Sequence, residues 1–146
     1  MHGRILIVDD NPQNLYLLES ILKGRRFEVI STKDGAEALD AALKNPPDLI
    51  IADILMPVMD GFELCRQWKA DERLKQIPFM FYTATYTDEK DERFAMNLGA
   101  DRFVVKPQKP EVLTQIISEV LAISAKDRAA AEPSLNEMES LRQYNE

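Results

Sequence analysis

The chain has 146 residues, of which 45% are hydrophobic and 29% are charged, and its formal net charge is −7. This length suits one domain with a real core, and the composition is that of a soluble globular protein. The acidic balance argues against direct binding of nucleic acid by this segment, because phosphate recognition requires a basic surface.

The sequence contains no signal for a membrane or for export. No apolar run reaches the ~18 residues that a membrane span requires, and the N-terminus lacks the extended apolar region of a secretory signal. The single cysteine, Cys65, cannot form an internal disulfide and supports no metal-binding cluster. We therefore expect a reducing, cytoplasmic setting and no membrane partner.

The first predicted strand is the apolar run at residues 5–8, which ends in two acids. Runs of this kind are typical of strands buried on both faces of a parallel sheet. Asn11 and Pro12 then provide a helix cap and a residue suited to the first helical turn. An apolar stripe at helical spacing follows, and Gly24 is the predicted end of this helix.

The pair of strand and helix recurs four more times. The later strands are predicted at residues 27–30, 49–52, 78–82 and 103–105. The helices that follow them are predicted to open at residues 34–35, near 61, at 87–89 and at 110. Five strands alternating with five helices over about 120 residues require crossover connections and a parallel sheet covered on both faces.

Reactive side chains come directly after these strands. Ligands of open parallel sheets bind beyond the carboxyl ends of the strands, so one pocket is predicted to receive five side chains. They are Asp9, Asp10, Asp53, Thr83 and Lys106. Three close carboxylates repel unless a cation intervenes, and an all-oxygen set suits Mg²⁺. The lysine adds a positive charge for an anion, so the residues predict a phosphoryl group beside a divalent metal.

Four fragments carry these residues: ILIVDDNPQN, LIIADILMPVMDG, FMFYTAT and GADRFVVKP. In this order and spacing the chain resembles a response-regulator receiver domain over residues 4 to about 124. The resemblance implies a doubly wound, flavodoxin-like (βα)5 fold with a five-stranded parallel sheet in the order 2-1-3-4-5. It also implies a signalling switch of a two-component phosphorelay, not an enzyme, that takes part in its own phosphorylation and dephosphorylation.

The resemblance further implies how phosphorylation occurs. Asp53 would accept a phosphoryl group from a phosphohistidine on a histidine kinase or phosphotransfer protein. Asp9 and Asp10 would hold Mg²⁺ together with Asp53, and the backbone carbonyl of Leu55 would complete the protein ligands. Lys106 would contact the transferred phosphoryl oxygens, and its peptide bond to the following proline is expected to be cis.

A switch and a partner surface are implied in the same way. Thr83 would also contact the phosphoryl oxygens, and Phe103 would swing inward as the threonine moves. The partner surface would be the face of the fourth helix, fifth strand and fifth helix, within residues 87–98, 102–105 and 110–123. An output domain or a partner protein would bind there, and a homodimer could form.

Each site residue also has a plainer interpretation. Asp53 could cap the following helix, and Asp9 or Asp10 could cap the helix at residue 12. Thr83 is expected at a strand end from β-propensity alone, and strand aromatics such as Phe103 are usually core residues. Lys106 could be an ordinary surface lysine.

Two other functions compete with the switch. An inactive receiver-like docking module would usually lack an acid or the lysine, and neither is missing here. A phosphohydrolase with an aspartyl nucleophile would carry a second Asp two residues after Asp53, where this chain has Leu55.

The remaining features have modest interpretations. Cys65 lies at helical spacing with Phe62 and Trp68, which favours buried packing over a redox role. The only histidine, His2, lies near the terminus, so we expect no histidine phosphodonor in this segment.

Residues 1–124 are predicted to form the receiver domain, and residues 125–146 a linker or helical connector to an output module outside this sequence. Residues 126–132 could extend the fifth helix until Pro133 breaks it, and Ser134 with Glu137 could cap a further helix. The alternative is a frayed polar tail.

Overall fold

A computed structural model describes the backbone of residues 3–131 and the side chains of residues 3–124. Five strands alternate with five helices in this part of the chain. The strands are β1 (Arg4–Val8), β2 (Glu28–Thr32), β3 (Leu49–Ala52), β4 (Phe79–Thr83) and β5 (Arg102–Val105). The helices are α1 (Pro12–Gly24), α2 (Gly35–Lys44), α3 (Gly61–Ala70), α4 (Glu89–Asn97) and α5 (Pro110–Ala131).

The five strands form one parallel sheet in the order β2-β1-β3-β4-β5. This confirms the predicted doubly wound α/β fold and its strand order. Strand β1 shows how the layers divide, since successive side chains of a strand point to opposite faces. Leu6 and Val8 pack with α2, α3 and α4, whereas Ile5 and Ile7 pack with α1 and α5. Both faces of the sheet are therefore buried, which is why its strands are apolar runs without alternation.

Short polar side chains set the helix starts. Asn11 Oδ1 accepts hydrogen bonds from the backbone N–H groups of Gln13 and Asn14 at 2.9 and 3.1 Å, so Asn11 caps α1 as predicted. Asp60 caps α3, since its Oδ1 accepts from the Glu63 N–H at 2.8 Å. Helix α3 thus has a cap of its own, and the interpretation of Asp53 as its cap is wrong.

Most predicted boundaries agree with the structure, and β2 shows the largest difference. This strand was predicted at residues 27–30 and is observed at Glu28–Thr32. Phe27 is buried in the core, 4% exposed, but precedes the strand. Its apolar character therefore reflects burial between α1 and the sheet, and apolar runs alone do not distinguish these two situations.

The interpretation of Cys65 as a packing residue is confirmed. The side chain is fully buried in the layer that contains Trp68. Desolvation by burial raises the pKa of the Cys65 thiol to about 12. The thiol therefore stays protonated near neutral pH and does not act as a nucleophile.

Helix α5 continues past Ser124 to Ala131, so the predicted extension of this helix is observed in the backbone. The interpretations of His2, of Pro133 and of the capping box at residues 134–137 fall outside the described residues. Among the helices of the described range, none combines the length and apolar character needed to cross a bilayer.

Candidate functional site

The backbone ladder places two of the predicted acids side by side. Val8 of β1 is in register with Ala52 of β3, so Asp9 and Asp53 leave the sheet as neighbours. The Asp53 N–H donates to the Val8 carbonyl at 3.0 Å, which extends the ladder by one hydrogen bond beyond β3. Asp53 is thus held at the carboxyl edge of the sheet, where ligands of this fold class bind.

The three predicted carboxylates do converge. Asp9, Asp10 and Asp53 each offer one oxygen, and these oxygens lie within 4.8 Å of one another. Asp9 is buried, Asp53 is half-buried and Asp10 is exposed. Asp9 and Asp53 each use one carboxylate oxygen to accept a backbone hydrogen bond. Asp9 Oδ1 accepts from the Asn11 N–H at 2.9 Å, and Asp53 Oδ1 accepts from the Ile54 N–H at 2.7 Å. Asp9 therefore contacts the backbone of Asn11, but Asn11 itself is the cap of α1.

The Lys106 ammonium contacts the second carboxylate oxygen of both Asp9 and Asp53. Lys106 Nζ lies 2.6 Å from Asp9 Oδ2 and 3.3 Å from Asp53 Oδ2, and its side chain is only 13% exposed. Desolvation lowers the pKa of Lys106, but the hydrogen bond that Lys106 donates to Asp9 and the negative charges of Asp53 and Asp9 outweigh this effect. The net effect is a pKa above the ordinary lysine value. The interpretation of Lys106 as an ordinary surface lysine is wrong.

The donor set of the cluster fits a hard divalent cation. Three carboxylates face one ammonium, so negative charge remains after the lysine is counted. The exposed Asp10 and the half-buried Asp53 leave the cluster open to solvent on one side. Carboxylate ligands beside retained water molecules are the environment that Mg²⁺ prefers. Asp9, Asp10 and Asp53 are therefore the residues that could hold such an ion.

Thr83 is the buried last residue of β4, and its hydroxyl is committed to the loop that follows. Its Oγ1 accepts hydrogen bonds from the N–H groups of Thr85 and Tyr86 at 3.2 and 3.4 Å. Phe103 of β5 is half-buried and stands in register with Phe81, with ring centroids 6.2 Å apart. Phe103 thus packs as a core aromatic two residues before the level of Thr83, and a switch role for either residue stays a prediction.

Lys106 reaches the cluster from the end of β5. Its backbone N–H donates to the Thr83 carbonyl at 2.8 Å, which continues the ladder between β4 and β5. The Lys106–Pro107 peptide bond is cis, as predicted.

The loop between Asp53 and α3 is tightly built. The Met59 N–H donates to the Pro57 carbonyl at 2.7 Å, and Val58 between them has a φ of +68°. A hydrogen bond spanning three residues around a positive φ is a γ-turn, which is strained for a β-branched residue. The start of α3 closes the loop: the Gly61 N–H donates to the Ile54 carbonyl at 2.7 Å, and a Cβ on Gly61 would lie 2.2 Å from the Asp53 carbonyl oxygen.

Tyr82 is a site residue that sequence reasoning missed. Its hydroxyl accepts a hydrogen bond from the Gln108 N–H at 3.1 Å, and Lys106 Nζ lies 5.5 Å from the centre of its ring. The available signal was its place directly before Thr83 at a strand end. Its partners belong to a loop more than twenty positions later, which periodicity does not connect to β4.

Comparisons with known proteins agree with this geometry. The family model of the response regulator receiver domain matches residues 5–118. The chain is 38% identical over 113 residues to the DNA-binding response regulator MtrA of Mycolicibacterium smegmatis, covering 77% of this chain and 48% of MtrA. It is 34% identical over 120 residues to Protein PilH of Pseudomonas aeruginosa, covering 82% of this chain and 98% of PilH.

A solved structure of similar fold is the receiver domain of a sensor histidine kinase from Pseudomonas aeruginosa, with a magnesium ion coordinated in the active site cleft. The TM-score is 0.76 at 28% identity, covering 84% of this chain and 99% of that one.

The chain belongs to the response regulator receiver domain family. It is thus a receiver domain of two-component signalling, and such domains are signalling domains, not classical enzymes. The chain spans about half the length of MtrA, at 48%, but nearly all of PilH, at 98%.

Proposed function

We propose that this domain is a phosphorylation-dependent switch in which Asp53 accepts a phosphoryl group from a phosphohistidine of a histidine kinase or phosphotransfer protein. The observation that carries this proposal is the joint placement of Asp9, Asp10, Asp53 and Lys106 at the carboxyl edge of the sheet. Each comes from a strand end, and together they offer a nucleophile, a cation and the ligands of a metal.

In the proposed step, a carboxylate oxygen of Asp53 bonds to phosphorus as the bond between phosphorus and the imidazole nitrogen of the donor breaks. The products are an acyl phosphate on Asp53 and a neutral histidine on the partner. Such a transfer depends mainly on alignment and on neutralising charge. The Ile54 N–H orients the Asp53 carboxylate, and Lys106 would move from Asp53 Oδ2 to the incoming phosphoryl oxygens.

Asp9, Asp10 and Asp53 would hold Mg²⁺, with the backbone carbonyl of Leu55 as a further ligand. Once bound, the ion would neutralise negative charge on the phosphoryl group and on the acids. The magnesium ion in the cleft of the related sensor-kinase receiver domain supports this assignment.

The signal would leave the site through Thr83 and Phe103. The Thr83 hydroxyl would exchange its loop partners for a phosphoryl oxygen, and Phe103 would repack behind it, which shifts a two-state equilibrium. The readout surface would be the face of α4, β5 and α5, for an output domain, a partner protein or a second copy. These three elements carry several exposed large apolar side chains. They are Phe94, Met96, Val105, Val112 and Ile123.

The decisive experiment is intact-mass measurement after treatment with acetyl phosphate and Mg²⁺. We expect the parent to gain one phosphoryl group and Asp53→Ala to gain none. Asp40→Ala is a matched control, because Asp40 is an exposed acid on α2, and it should label like the parent. A parent that stays unmodified would support the inactive docking module. Equal labelling of Asp53→Ala and the parent would show that another residue is the phosphoacceptor. Sustained turnover of a phosphomonoester would favour a phosphohydrolase.

A further inference from the structure

Tyr82 lies at the border between the acidic cluster and a cavity on the opposite face of the sheet from Thr83. The side chain is half-buried and packs in the layer that contains α1 and α5. The cavity, about 280 Å³ in volume, is lined by both Tyr82 and the cluster residues Asp9 and Lys106. Tyr82 is therefore a direct neighbour of the site, on the side of the sheet away from Thr83.

Two contacts connect Tyr82 to the segment that carries Lys106. The hydroxyl accepts from the Gln108 N–H at 3.1 Å, and the Gln108 side-chain Nε2 donates to the Val105 carbonyl at 2.9 Å. The Gln108 side chain thus closes a short loop from Val105 to Gln108, and the Tyr82 hydroxyl connects this loop to β4. The second contact is the ring, whose centre lies 5.5 Å from Lys106 Nζ.

A lysine ammonium is a point charge on a flexible four-carbon stem, so its position depends on what surrounds it. Asp9 and Asp53 attract the Lys106 ammonium from one direction, and the Tyr82 ring face attracts a cation as well. An aliphatic residue at position 82 would fill similar space but would provide neither the ring face nor an acceptor for the Gln108 N–H.

We propose that Tyr82 is a positioning residue for Lys106, which it holds over the acidic cluster through its ring and its hydroxyl. The inference rests on the proposed function, because the value of a placed lysine is that it meets the incoming phosphoryl group. Tyr82 does not touch the reacting atoms and acts only through Lys106.

Two substitutions separate the contributions of the ring and the hydroxyl. Tyr82→Phe keeps the ring and removes the acceptor, whereas Tyr82→Leu removes both. With acetyl phosphate and Mg²⁺, we expect Tyr82→Leu to be phosphorylated roughly threefold to tenfold more slowly than the parent, with Tyr82→Phe in between. Tyr16→Leu is the control, since Tyr16 is 72% exposed on α1, and its rate should equal that of the parent.

A double-mutant cycle tests whether the effect passes through Lys106. In a Lys106→Met background, Tyr82→Leu should cause no further slowing, whereas a general packing defect would slow both backgrounds by the same factor. A second readout needs neither metal nor turnover: in chelator, Tyr82→Leu should lower the urea midpoint more in the parent than in Lys106→Met. Equal losses in both backgrounds would overturn the inference.

The outcomes distinguish this inference from the proposed function. If the parent takes up no phosphate, the proposed function fails, whatever Tyr82 does to stability. If the parent is phosphorylated and Tyr82→Leu is equally fast, only the role of Tyr82 is overturned. Should Tyr82→Leu fail to fold, Tyr82→Phe decides, and a rate equal to that of the parent would refute the inference.

Discussion

At the level of single residues, the site is defined by which oxygen of each acid is already engaged. Asp9 and Asp53 both use Oδ1 for a backbone N–H and Oδ2 for the Lys106 ammonium. The lysine therefore holds together two carboxylates that would otherwise repel. Asp10, the third acid, is exposed and adds further negative charge. The described ion pairs of Lys106 are those with Asp9 and Asp53 and do not include Asp10.

We predict that Asp53→Asn stabilises the metal-free protein by about 1 kcal/mol. At an effective dielectric of about 20, like charges 4.8 Å apart repel by roughly 3 kcal/mol per pair. Two such pairs outweigh the attraction of roughly 5 kcal/mol between Asp53 and Lys106 at 3.3 Å. Solvent at the exposed Asp10 weakens its repulsion of Asp53 more than it weakens the attraction between Asp53 and Lys106, so the expected net gain is small. Urea unfolding in chelator measures the difference.

Asp53→Ala is the matched comparison for this prediction. In the parent, the Ile54 N–H donates to Asp53 Oδ1 at 2.7 Å. Asparagine keeps an oxygen that can accept this hydrogen bond, whereas alanine removes the acceptor. Alanine should therefore stabilise less than asparagine. Identical unfolding midpoints for the parent and Asp53→Asn in chelator would contradict the repulsive cluster.

At the level of elements, the start of α3 supports the loop that carries Asp53. The Gly61 N–H holds the Ile54 carbonyl, and the helix backbone approaches Asp53 so closely that no side chain fits at position 61. The Asp60 cap fixes where the helix begins, and so fixes this approach. The loop geometry therefore depends on α3 as much as on β3.

We predict that Gly61→Ala destabilises the fold by about 2–4 kcal/mol and slows phosphorylation of Asp53. Its Cβ would meet backbone atoms, the Asp53 carbonyl oxygen at 2.2 Å and the Ile54 Cα at 2.8 Å, and these cannot move without displacing the acceptor. Thermal unfolding and the acetyl phosphate assay measure the two effects.

Gly24→Ala controls for the substitution itself. Gly24 ends α1, and a Cβ there would meet nothing within 4 Å. Alanine should be neutral or should stabilise this helix by up to about 1 kcal/mol. Equal stability of the two alanine variants would show that the approach of α3 to Asp53 is not constrained.

At the level of the whole molecule, the acidic cluster joins distant parts of the chain. Its acids follow β1 and β3, and its lysine follows β5, so a cation held by the acids links the ends of β1 and β3. Any ion that binds only this arrangement stabilises the folded state as a unit.

We therefore predict that Mg²⁺ raises the melting temperature of the parent. At a concentration about 100 times the dissociation constant, the gain is about 2.7 kcal/mol, or roughly 5–10 °C for a domain of this size. Asp53→Asn should show a smaller rise, because one carboxylate is lost, and Asp40→Asn should respond like the parent. A melting temperature that Mg²⁺ leaves unchanged would count against the metal site.

The sequence alone determined the order of strands and helices and which side chains stand at the strand ends. Apolar runs and helical periodicity are local features of the sequence, so they can be recognised without knowledge of the fold. Asp9, Asp53 and Lys106 were predicted together because carboxyl ends of parallel strands meet at one edge, and they do converge. Phe27 is buried but lies before the strand, so the apolar pattern placed the start of β2 one residue too early.

Only the tertiary structure decided how these groups pair. Lys106 and Asp9 are 97 positions apart, yet their charged atoms lie 2.6 Å from each other. The fastening of Tyr82 to Gln108, the commitment of the Thr83 hydroxyl to its own loop and the approach of α3 to Asp53 are likewise matters of packing. Periodicity indicates the face on which a side chain lies, but distances of a few ångströms depend on strand register and loop closure, which connect residues far apart in the chain.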